Sequence, residues 1–162
     1  MNKQRKTLKL LAINSAIAAV YFVLTVLLEP FSYGQIQFRL SEILMVLVLI
    51  NYKVAPGIVF GCFLANLFSP FGVWDVVFGT LATVFCLSLM FALKKNIFVA
   101  LLAPTIVGSA IVAVMLNFIL GLPFLETFIY VTIGEGVVLY LIGVPFCYVV
   151  QKNEIGKTLK EL

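Results

Sequence analysis

Long apolar runs without a single charge constrain this chain more than any other feature. Leu10–Leu28, Val76–Leu93 and Ile97–Leu125 contain no Asp, Glu, Lys or Arg. About 20 consecutive apolar residues is the length of a helix that crosses the hydrocarbon core of a bilayer. Of the 162 residues, 63% are hydrophobic and 11% charged, and mean hydropathy is +1.16. A soluble domain of this size needs far more polar surface, and the polar ends are too short to form one. The class is therefore an all-α integral membrane protein, a single membrane domain over 1–162 embedded in the lipid bilayer.

The net charge of +4 then reports orientation rather than affinity for nucleic acid, because the bases form no stripe along one element. Lys3, Arg5, Lys6 and Lys9 precede the first apolar run as in a signal peptide. That run continues to Leu28, longer than a typical signal core, and reads as a retained helix. Cys62, Cys86 and Cys147 lie inside apolar runs without metal-ligand spacing, and the chain has no histidine; they read as small buried hydrophobes.

Six spans are predicted, over 8–28, 40–52, 54–68, 73–93, 97–120 and 128–150. Glu29-Pro30 closes the first, and Phe31–Gln37 forms a loop with Gly34 as its turn signal. The second and third are short, and Lys53 to Gly57 interrupts them, so they form either one broken helix or a hairpin. The hairpin puts the N-terminal bases, Lys53, Lys94-Lys95 and the C-terminal lysines on one side. The positive-inside rule favours it, with both termini cytoplasmic. Arg39 is the exception, a base on the outer side.

The polar residues within the spans crowd toward that outer side. Arg39 and Glu42 open the second span at i, i+3 spacing, which on a helix places them on one face. Asn66 lies one turn from the outer end of the third, Trp74-Asp75 open the fourth, and Asn117 ends the fifth. Glu135 sits about two turns below the outer end of the sixth. A charge at membrane depth costs roughly 2.5 kcal/mol or more and marks function. The inner half offers only Asn14, Ser15 and Ser88, so the pattern is a cup open to the outside rather than a path across the bilayer.

Each group also has a plainer reading. Arg39–Glu42 fits an interfacial ion pair, Asn66 and Asn117 fit interhelical hydrogen-bond glue, and Asp75 fits an N-cap. The aromatic residues around the mouth, Tyr130 among them, fit an interface belt, although Trp74 beside Asp75 is placed to stack on a ligand. Glu135 has no base at its depth on its own helix and is the strongest candidate. Carboxylates with aromatics suit a flat, nitrogen-rich, cationic ligand.

Small residues recur at four-residue spacing in Ala12-x-x-x-Ala16, Ser15-x-x-x-Ala19, Gly57-x-x-x-Gly61 and Gly79-x-x-x-Thr83, which lets helix backbones approach closely. The face on the first helix is also suited to a partner protein. The sequence has no phosphate-cradling loop, zinc motif or nucleophile elbow. It is therefore not read as an enzyme, no cofactor or metal is expected, and any pumping must draw on a partner or a gradient.

Gln37-Phe38-Arg39-Leu40-Ser41-Glu42, Gly61-Cys62 followed by Asn66, Trp74-Asp75, Phe78-Gly79, Ala82-Thr83, and Gly134-Glu135 with Gly143 and Pro145 together resemble the QueT family. These are the queuosine-precursor substrate-binding subunits (S-components) of energy-coupling factor (ECF) transporters. The likeness runs from first helix to sixth and is specific in the Arg-x-Ser-Glu and Trp-Asp-x-x-Phe-Gly blocks. It implies a six-helix S-component in the cell membrane that captures a deazaguanine, such as the aminomethyl prequeuosine base, from outside. It also implies docking on a transmembrane coupling subunit with two cytoplasmic ATPases, and Ala12 and Ala16 are similar to the family's docking motif. Within that picture Glu135 can accept paired N–H donors, Asp75 or Glu42 suit an aminomethyl cation, and Asn66 or Asn117 can donate to the base carbonyl. Two alternatives stand beside it: a proton-coupled exporter of organic cations using Glu135, and a membrane assembly factor with no small-molecule site.

Overall fold

The computed structural model describes residues 3–33 and 37–162; Gly34, the expected turn, lies outside them. Helix α1 spans Lys3–Leu27 and is followed by a single helical turn, Glu29–Ser32, whose first positions Pro30 helps to fix. Leu40–Leu49 is a 3-10 helix. Helix α2 covers Ala55–Asn66, α3 Asp75–Ala92, α4 Ile97–Leu120 and α5 Phe124–Lys152, and a short α6 runs over Glu154–Lys160. No strand occurs among the described residues. Local chemistry sets the boundaries. The Asn96 side chain caps Phe98 and Val99 N–H at the start of α4, and Gly121, at φ 67°, ends that helix in the left-handed conformation.

Helices α1, α3, α4 and α5 are each long and apolar enough to cross a membrane. Their outward faces carry large apolar side chains such as Leu27, Phe118 and Leu141. The expected spans at 8–28, 73–93, 97–120 and 128–150 correspond to these helices, the last beginning earlier, at Phe124. Neither short segment reaches the length of a span, and the first differs from expectation in kind. The first is a 3-10 helix of 10 residues, about 20 Å long at the stretched rise of that helix, and the second an α-helix of 12 residues.

The 3-10 helix lies at the centre of the bundle. Met45, Val46, Leu47 and Val48 are all buried, and it packs against α1, α2, α3 and α5. Helix α2 lies close along α1: a Cβ on Gly57 would come within 2.5 Å of the Asn14 carbonyl oxygen, and one on Gly61 within 2.8 Å of the Ala18 oxygen. The Gly57-x-x-x-Gly61 spacing is thus a within-chain packing face, and the Gly57 N–H donates to Asn14 Oδ1 at 2.6 Å.

Contacts sort the ends of the bundle. Lys9 pairs with Glu161 at 4.0 Å, Asn51 Nδ2 donates to the Leu159 carbonyl at 2.8 Å, and Lys53 Nζ donates to the Leu162 carbonyl. The Tyr52 ring meets Phe91 near the end of α3, just before Lys94-Lys95. The start of α1, the Lys53 turn, the end of α3 and the C-terminal segment therefore share one end. The start of the 3-10 helix and the end of α2 meet at the other, where Arg39 and Asn66 both contact Asp75. That back-to-back arrangement is the hairpin rather than one broken helix.

Candidate binding site

At the end away from the lysines, Arg39 stands just before the 3-10 helix in extended backbone, φ −92° and ψ 90°. It is therefore not on the helical face that its spacing to Glu42 implies. Its guanidinium turns to two acids: Nη2 is 3.6 Å from Asp75 Oδ2, and Nη1 is 4.0 Å from Glu42 Oε1. Both separations exceed a hydrogen bond, so attraction here is ionic rather than directional. Arg39 is 5% exposed and Asp75 1%, and the Arg39 Nε and Nη2 and both Asp75 carboxylate oxygens lack a hydrogen-bond partner among the described residues. The Tyr33 ring lies 5.2 Å from the guanidinium carbon and is anchored by its hydroxyl, which donates to the Ala65 carbonyl at 2.6 Å. Burial pushes the Tyr33 phenol up to about 12, so it stays a donor across the neutral range.

Glu135 comes in from α5, 5% exposed, and accepts a hydrogen bond from the Ser109 hydroxyl of α4 at 3.0 Å. Three stretches of π-type turn shape the surroundings: Asp75–Gly79, Ala103–Gly108 and Val137–Gly143. Pro104 sits at the head of the second, where its missing N–H releases the α-helical ladder. These wide turns bring bare backbone to the acids. A Cβ on Gly108 would stand 3.6 and 3.8 Å from the Glu135 carboxylate oxygens, and one on Gly79 3.1 Å from Asp75 Oδ1.

Gln37, Arg39, Glu42, Thr83, Gly108 and Glu135 line one cleft, whose free volume is about 20 Å³. That holds little more than a water molecule, so a heterocycle enters only if the helices part. Beyond the acids, toward the lysine end, the interior is apolar: Val46, Val48, Leu87, Met90 and Leu139 are all buried together. The cup is closed below. Three carboxyl groups around one guanidinium present more acceptor oxygens than it engages, an arrangement that suits N–H donors.

Of the sequence-predicted residues, Arg39, Glu42 and Glu135 line the cleft, and Asp75 joins them through Arg39. The Asp75 side chain makes no capping hydrogen bond. Asn66 is fully buried beside Asp75, but its Nδ2 donates to the Asp75 backbone carbonyl at 3.0 Å, which fastens the end of α2 to the start of α3. Asn117 is exposed and donates to the Leu122 carbonyl beyond its own helix end. Trp74, 44% exposed, packs on Phe78 and Phe118. Tyr130 is 43% exposed. None of these last three borders the cleft. Ala12 and Ala16 lie exposed on α1.

Sequence reasoning passed over Ser109, Thr83 and the side chain of Gln37. Ser109 has a local signal, since Gly108-Ser109-Ala110 is a small-residue patch in the middle of a span, where a hydroxyl serves as a hydrogen-bond partner. The spacing of Thr83 to Gly79 marks it only as a packing position. Its hydroxyl donates to the Gly79 carbonyl at 2.9 Å and meets Cys62 Sγ at 3.2 Å.

Comparison with known proteins bears on this geometry. The family model described as QueT transporter matches residues 11–152. A protein of Lactococcus lactis subsp. cremoris (strain MG1363), named Queuosine precursor transporter QueT, is 39% identical over 89 residues, covering 54% of this chain and 52% of the relative. The aligned stretch thus spans about half the length of the curated relative it matches. No solved structure matches the chain.

Proposed function

This chain belongs to the QueT transporter family, and we propose that it is the substrate-capturing membrane subunit of an ECF-type importer of a queuosine precursor. The ligand is a deazaguanine, such as the aminomethyl prequeuosine base, taken up from outside. The observation that carries the reading is the convergence of Arg39, Glu42, Asp75 and Glu135 at one end of an otherwise apolar bundle. Glu135 accepts the paired N–H donors of the guanine-like edge, and Glu42 or Asp75 receives the aminomethyl cation while Arg39 holds the two acids apart.

Lys53, the region of Lys94-Lys95 and both termini gather at the opposite end. With six spans, the positive-inside rule makes that end cytoplasmic and the cup outward-facing. The apolar floor supports capture followed by a change of orientation or packing, because a proton-coupled exporter needs polar groups through both halves of the bilayer. Energy then comes from partners: a transmembrane coupling subunit docked on the exposed Ala12 and Ala16 face of α1, and two cytoplasmic ATPases.

The test is calorimetric titration of the purified protein with the aminomethyl deazaguanine in the absence of any gradient. One-to-one binding is expected, and Glu135→Gln should weaken it by about tenfold or more, the scale of a hydrogen bond to a charged group. The Ser109 hydroxyl can still donate to the amide oxygen, so folding is retained. A wild-type protein that binds no deazapurine overturns the capture reading. Binding that releases protons near neutral pH, with Glu135→Gln uncoupling transport, would establish the exporter instead.

A further inference from the structure

Gln37 departs from its surroundings in three ways. It is, among the described residues, the one non-glycine residue with positive φ, at 47°, a conformation that costs an ordinary side chain free energy and persists where the fold holds it in place. It is 3% exposed, yet its Nε2 has no hydrogen-bond partner among the described residues. It borders the same cleft as Arg39, Glu42 and Glu135. The Arg39 N–H donates to the Gln37 carbonyl at 2.9 Å, so a tight turn fixes the amide relative to the guanidinium.

Elimination gives this amide a task. The cleft's acids accept hydrogen bonds and cannot donate to a ligand's carbonyl while ionised. Arg39 also carries unpaired donors, Nε and Nη2, but its charge is engaged by two carboxylates. Asn66 Nδ2 is engaged by the Asp75 carbonyl and Asn117 Nδ2 by the Leu122 carbonyl. The remaining neutral amide at the cleft with a buried, uncommitted donor is Gln37. A strained backbone holding an unpaired amide against a polar cavity is the arrangement of a recognition group, since leaving a buried donor unmade is costly.

Resting on the substrate reading above, we propose that Gln37 is a specificity-determining residue whose Nε2 donates to the carbonyl acceptor of the heterocyclic ligand. It distinguishes a keto base from one lacking that oxygen. A site built to bond a polar atom discriminates strongly against the analogue without it.

Titration of the full-length purified protein with two probes tests this: the aminomethyl deazaguanine and its analogue lacking the 6-oxo group. Wild type should prefer the keto ligand by about tenfold or more. Gln37→Leu should lower keto affinity to the analogue's level while moving the analogue by less than about twofold. Gln37→Gly, which adopts positive φ without strain, should show the same collapse of the ratio and stands in if the leucine variant does not fold. A variant that keeps the wild-type ratio, or weakens both probes alike, overturns the assignment, as does a wild type that binds both equally. Wild type binding neither probe overturns the substrate reading and this assignment together.

Discussion

Among the described residues, Arg39 is the one base buried beside these acids, and the cost of removing it follows from the geometry. At an effective dielectric of about 20, the 3.6 Å approach to Asp75 corresponds to roughly 4–5 kcal/mol of Coulomb attraction, and the 4.0 Å approach to Glu42 to roughly 4. Much of this offsets the desolvation of the charges, so the net worth of the cluster is far smaller than the sum. Deleting one partner is another matter, because it strands the others: about 3–5 kcal/mol is expected for Arg39→Met. Asp75→Asn should cost less, about 2 kcal/mol, since Glu42 still faces the guanidinium. If the pair is coupled as drawn, Arg39→Met/Asp75→Asn should fall short of the summed costs by about 2 kcal/mol, within the range for interacting neighbours.

Equilibrium unfolding of the four proteins in mixed micelles measures this cycle. Neither contact is short enough to be a hydrogen bond, so the coupling should be insensitive to Asp75→Glu provided the longer side chain keeps its charge near Nη2. Costs that add to within about 0.5 kcal/mol would show that Arg39 and Asp75 ignore each other. The ionic description of the cluster would then be wrong.

Three further variants probe the packing and the exposed face of α1. Gly61→Ala places a Cβ 2.8 Å from both the Ala18 carbonyl oxygen and Tyr21 Cβ, and thermal unfolding should show a loss of about 1–3 kcal/mol from overpacking. Gly136→Ala meets only Thr105 Cγ2 at 3.6 Å and should be neutral, or gain up to about 1 kcal/mol from helix propensity. Ala12→Leu with Ala16→Leu adds bulk to an exposed face of α1, so the purified subunit should keep its melting temperature and ligand affinity but fail to co-purify with a coupling subunit. Loss of melting temperature in that double variant would assign the face to folding instead.

The long spans were legible in the sequence because an uninterrupted apolar run has one low-energy fate in lipid. The hairpin at Lys53 was legible through charge, since a basic turn has to lie with the other bases. The 3-10 geometry of Leu40–Leu49 was not. Its residues carry no local signature against an α-helix, and the segment is packed against α1, α2, α3 and α5, where tertiary context overrides local preference. The site divides in the same way. Buried charge is costly enough to announce itself, so Arg39, Glu42, Asp75 and Glu135 stood out. Amides and aromatics satisfy themselves locally, as Asn117 does at its own helix end and Trp74 does on Phe78 and Phe118. Composition cannot distinguish those uses from ligand contact.

Ligand sites that take a heterocycle usually enclose about 300 Å³ or more, against about 20 Å³ here. The helices must therefore separate for a purine-sized molecule to enter. Asp75–Gly79 and Ala103–Gly108 are already off the α-helical ladder, and departures of that kind recur at functional sites. Both carry a glycine against a carboxylate, so a small change in either turn moves an acid of the cluster.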